Sequence, residues 1–73
     1  MTAKEMFEKM DYKLIKDDEN VIVYEYIDNE DIYVCFLKKF KQITGLPTYD
    51  YFCDIDLLKA YNKQAEELGW LDD

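Results

Sequence analysis

The sequence predicts an α+β domain in which an antiparallel meander of three or four strands carries an N-terminal and a C-terminal helix on one face. Three observations lead there. The chain opens on a capping box ahead of apolar residues at helical spacing, its middle alternates with a period of two between compact polar clusters, and its last stretch carries a helix start, an apolar stripe and a helix stop. At 73 residues there is room for a single domain (1–73) with one small core and little space for an internal active site.

Thr2 and Glu5 have the S/T-x-x-E spacing in which hydroxyl and carboxylate each satisfy a first-turn amide. Ala3, Met6, Phe7 and Met10 then share a face, while Lys4, Glu5, Glu8 and Lys9 point away from it. Asp11 stands where a helix-ending glycine would be expected, followed by the aromatic Tyr12. From there three strands fit, at residues 12–16, 21–27 and 32–40, separated by Asp17, Asp18, Glu19 and Asn20 and by Asp28, Asn29, Glu30 and Asp31. Each separator is short enough for a hairpin and too short for a crossover helix, hence the meander.

Both strand faces carry apolar residues. Val21 and Val23, together with Val34 and Phe36, are assigned to the core, so that the tyrosine-bearing face with Tyr24 and Tyr26 is left partly exposed. Residues 41–47, broken by Gly45 and Pro47, read as a loop, with a fourth short strand after it. In the closing helix Asp54 caps the first turn and Leu57, Leu58, Tyr61, Ala65 and Leu68 form the buried stripe. Gly69 ends it, and Trp70 and Leu71 fold back. The expected core is Met6, Phe7, Val21, Val23, Val34, Phe36, Leu58, Tyr61, Ala65 and Leu68.

Composition narrows function by exclusion. The chain has no histidine, serine or arginine, which rules out a Ser-His-Asp triad, a Cys-His pair, imidazole metal ligation and bidentate guanidinium recognition. Cys35 and Cys53 lack metal-ligand spacing and read as small buried hydrophobes, and the two acidic clusters lack the ligand spacing of a calcium loop. No catalytic residue, cofactor or metal is expected, so the chain is not expected to be an enzyme. Seventeen acidic residues against nine lysines give a net charge of -8, which repels nucleic acid and favours a basic protein partner. No run is long enough to span a bilayer, so a cytosolic protein without membrane contact is expected.

The candidate binding surface is Tyr24, Glu25, Tyr26, Glu30, Asp31, Tyr33, Tyr49, Asp50 and Tyr51, tyrosines that bring apolar area with a polar tip, interspersed with carboxylates. The same tyrosines also fit a plainer role at the border of a small core.

The opening AKEMFEKMDY and the closing AYNKQAEELGW resemble small uncharacterised acidic proteins of phages and prophages of low-GC Gram-positive bacteria, whose ends look like AKEMFEKLGY and AINKQMEELGW. Asp11 replaces that pattern's glycine, and residues 41–53 have no counterpart in it. The resemblance implies an inhibitor or adaptor acting on a host protein in the host cytosol, including defence proteins that bind nucleic acid. The alternative is a self-associating structural or accessory protein, a homodimer built through an exposed sheet face or edge.

Overall fold

A computed structural model describes residues 1–45 and 55–72. The elements run α1 (Ala3–Lys9), β1 (Tyr12–Asp17), β2 (Val21–Tyr26), β3 (Asn29–Leu37), β4 (Gln42–Thr44) and α2 (Ile55–Glu67). The strands form one antiparallel sheet in the order β1-β2-β3-β4, so the α+β meander with a helix at either end of the sequence is the architecture found.

The local signals act as chemistry requires. Thr2 Oγ1 accepts the Glu5 N–H at 3.2 Å, and the Glu5 carboxylate accepts the Thr2 N–H at 2.9 Å, completing the capping box. Both helices stop by a left-handed residue. Asp11 (φ 66) donates its N–H to the Glu8 carbonyl at 3.2 Å, and Gly69 (φ 75) donates to Glu66 at 3.0 Å while Trp70 donates to Ala65 at 2.9 Å. Trp70 then packs on Phe36 with ring centroids 6.1 Å apart, but Leu71 remains exposed, contrary to expectation.

Both helices cover the same sheet face, which carries the expected Val34 and Phe36 of β3 but, in β2, Ile22 and Tyr24 in place of the expected Val21 and Val23. Cross-strand pairing places Ile22 beside Phe36 and Tyr24 beside Val34, and these four are buried, whereas Val21 and Val23 lie on the other face and are half-buried. The reason is the size and shape of the aromatic set. Phe7 of α1 stacks on Tyr24 at 4.0 Å and meets Phe36, Tyr12 and Tyr61 edge-on or tilted at about 6 Å. Aromatic pairs of this kind add about 0.5–1.5 kcal/mol each beyond the area they bury. Two valines offer no equivalent.

The stripe of α2 is rotated in the same way. Leu57, Ala60, Tyr61, Gln64 and Ala65 are buried, Leu68 is half-buried, and Leu58 is 47% exposed. Adjacent leucines point about 100° apart on a helix, so only one can face the sheet. Leu57 wins because its face also buries Ala60 and brings Gln64 to the Tyr24 hydroxyl, which donates to Gln64 Oε1 at 2.6 Å. The helices run antiparallel: Ala3 at the start of α1 donates its N–H to the Glu67 carboxylate at the end of α2 at 2.8 Å, while Lys9 and Met10 share a pocket with Asp56. Among the described residues no helix is long and apolar enough to cross a membrane.

β1 runs one residue further than expected, to Asp17, β2 stops one short, at Tyr26, and β3 is shifted at both ends. β3 begins at Asn29 because β2 and β3 turn through Ile27 and Asp28 alone, and the register slip between Glu25 and Tyr26 takes up Glu30, Asp31 and Ile32 as a bulge. β3 ends at Leu37, not Phe40, because residues 38–41 form a turn closed by Lys41 (φ 53), after which Gln42–Thr44 pairs with β3. The expected loop at 41–47 thus contains a strand. The strand expected after it, and Asp54, lie outside the described residues.

Candidate functional site

The meander brings the charged turns to opposite ends of the sheet. At one end, Asp18 Oδ1 accepts the N–H groups of Asn20 (2.8 Å) and Val21 (2.9 Å), tying the β1–β2 turn. These two N–H bonds hold the Asp18 carboxyl below its ordinary value. Lys38 reaches Asp17 at 3.2 Å and donates its backbone N–H to the Asn20 carbonyl at 2.9 Å, and Lys16 lies 3.7 Å from Asp18. Lys39 and Lys41 sit in the neighbouring turn. Carboxylate and ammonium are intermixed here.

The other end is built from the β2–β3 hairpin and the α1–β1 junction. The N–H of Ile27 donates to the Asp11 carbonyl at 2.8 Å, joining the two, and Asn29 Oδ1 accepts the Asp31 N–H at 2.9 Å. Asp11, Asp28, Glu30 and Asp31 are all exposed at this end, and among the described residues none of them makes a salt bridge. Ile27, 57% exposed, stands in their midst.

The expected binding residues do not form one surface. Tyr24 is core, 2% exposed, its hydroxyl pushed up to about 12 by burial, so it is removed from the candidate set. Tyr26 lies on the helix-covered face and packs edge-on against Tyr12 at 5.3 Å. Glu25 and Tyr33 pair across strands on the open face, where Glu25 lies 3.9 Å from Lys13. Tyr33 lies against Gly45 (φ +74), where a Cβ would collide with its ring. Glu30 and Asp31 are at the acidic end as anticipated, while Tyr49, Asp50 and Tyr51 lie outside the described residues. Alternation explains the split, since Tyr24 pairs with Val34 and Tyr33 with Glu25, successive positions that point to opposite faces.

Three contributors were missed in the sequence. In the sequence Asp11 reads only as a helix stop, Asp28 only as a loop residue and Ile27 as part of a strand face. The signal for Ile27 and Asp28 is that a turn of two residues puts its own side chains at the tip, whereas Asp11 joins them only through the tertiary bond from the Ile27 N–H.

Cys35 is free and buried, and burial pushes its thiol up, which fits the small-hydrophobe expectation; Cys53 lies outside the described residues. Among the described residues no group of three or more cysteine, aspartate or glutamate side chains is placed to hold a metal ion. No protein-family model matches the chain, and no curated protein or solved structure matches it.

Proposed function

We propose that this chain is a non-enzymatic protein-binding module that sets its acidic β2–β3 end on the basic, nucleic-acid-binding surface of a host defence protein, as an inhibitor of phage type acting in the host cytosol. The carrying observation is the group of four exposed carboxylates, Asp11, Asp28, Glu30 and Asp31, on a hairpin and helix junction joined by the bond from the Ile27 N–H to the Asp11 carbonyl, without a salt bridge among the described residues. Such a patch steers encounter with a basic partner and loses its effect as salt rises. Nucleic acid itself is repelled by a net charge of -8. The resemblance of the two helical ends to phage proteins supports a host protein as the target.

The test is capture from a bacterial lysate on the immobilised chain at about 0.05 M and 0.5 M salt, across which screening changes severalfold. The expected result is a basic protein retained at low salt, shed at high salt, and competed off by nucleic acid. Glu30→Lys with Asp31→Lys should slow its association. Retention of no basic protein, or retention indifferent to the charge reversal, overturns the proposal.

Self-association through the sheet edges has less support. β1 is bulged between Leu14 and Lys16 and carries Lys13 and Lys16, and β4 is three residues long, all features by which edges resist pairing.

A further inference from the structure

The seam between the helices opens into a pocket of about 240 Å³ lined by Met1, Met6, Met10, Lys9, Lys59 and Asp56. All three methionines of the chain meet there, giving an apolar lining that adapts to what enters it. Among the described residues two ammonium groups against one carboxylate line it, a locally positive rim on a chain of net charge -8. Among the described residues neither Lys9 nor Lys59 makes a salt bridge.

An aliphatic side chain ringed by carboxylates matches such a hole, and this chain carries one. Ile27 is exposed at the hairpin tip with Asp28 next to it and Glu30 and Asp31 following. Ile27 does not line the pocket of its own chain. Tip and pocket nevertheless lie at the same end of the molecule, because Met10 of the pocket precedes Asp11, whose carbonyl holds the Ile27 N–H at 2.8 Å. A two-fold axis that brings one tip to the other copy's pocket brings the second tip to the first pocket as well, in a closed, isologous contact.

We propose that the chain pairs with a second copy of itself by this reciprocal insertion, Ile27 entering the methionine pocket and Glu30 and Asp31 facing Lys9 and Lys59. A contact this small is weak and reversible, well below the area of stable complexes. Pairing hides the acidic end, so a basic partner and a second copy compete for it. Pairing itself does not depend on that partner, since it is measured on the purified chain alone.

The experiment is sedimentation equilibrium of the full chain from micromolar to about millimolar concentration at about 0.15 M salt, where charges more than about 8 Å apart are screened. A concentration-dependent dimer is expected, lost in Ile27→Asp. Weakening of about tenfold or more is expected both in Glu30→Lys with Asp31→Lys and in Lys9→Glu with Lys59→Glu, because each sets like charges together. All five positions are exposed, so the fold should survive, which circular dichroism checks. An equal mixture of the two charge-reversed proteins should restore pairing, since each tip then meets an oppositely charged rim. A monomer throughout, a dimer indifferent to Ile27→Asp, no rescue on mixing, or oligomers that grow without limit would each overturn the proposal. In the monomeric case the basic-partner proposal still stands or falls on its own capture experiment.

Discussion

The two ends of the sheet are made from similar acidic clusters and end up electrostatically unlike. Asp17, Asp18 and Glu19 share their end with Lys16, Lys38, Lys39 and Lys41, and two of those carboxylates are in ion pairs. Asp11, Asp28, Glu30 and Asp31 share theirs with an exposed isoleucine. In the first the carboxylates finish turns, whereas in the second they are left to face solvent. Composition alone does not distinguish a structural acid from an available one. The strand order does, because it decides which turns become neighbours.

Both ends hang from one aromatic core, so the largest effect should fall on them together. Phe7→Ala removes the ring shared by Tyr12, Tyr24, Phe36 and Tyr61 and should cost about 3–5 kcal/mol by chemical denaturation. Hydrogen exchange should rise at both hairpins alike; protection kept at one end alone would mean that the ends are separately stabilised. Next comes Tyr24→Phe, which leaves the buried Gln64 oxygen without the Tyr24 hydroxyl and should cost about 1–3 kcal/mol, largely recovered by adding Gln64→Leu.

The comparison itself is sharpened by charge reversals. Lys38→Glu at the paired end should destabilise by up to about 1 kcal/mol, whereas Glu30→Lys with Asp31→Lys should leave stability unchanged or raise it at low salt. Equal losses from both would erase the distinction.

Acid titration is a finer probe. Asp18 has a folded value below its ordinary one, so its contribution is full above the ordinary carboxylate range and is lost as pH falls through the lowered value. The stability gap between the wild type and Asp18→Ala should therefore be constant near neutral pH and narrow as pH falls below the ordinary carboxylate range. A gap that widens in acid would contradict the turn geometry. Smallest of all, Leu58→Ala should fall within about 0.5 kcal/mol, since Leu58 faces solvent.

What was legible in the sequence was what short-range chemistry dictates. The Thr2 and Glu5 box, the shared stop at Asp11 and Gly69, and the period of two between polar clusters were enough for the element order and the meander. The choice between two apolar sheet faces was not legible, because Val21 and Val23 alternate as well as Ile22 and Tyr24 do. The deciding partner, Gln64, is polar and does not belong to an apolar stripe. Strand ends were hidden for a related reason. The Ile27 and Asp28 turn and the left-handed Lys41 use no glycine, so neither turn announces itself by composition. The acidic site was half legible: Glu30 and Asp31 stood out, but the approach of Asp11 to Ile27 is a tertiary fact.

The bond from the Ala3 amide to the Glu67 carboxylate spans 64 positions of sequence. The donor at the first turn of α1 finds this acceptor only once α2 is in place. A helix of seven residues has little stability of its own, so α1 depends on α2 and the sheet to persist. Closing so long a loop slows folding relative to a local helical hairpin.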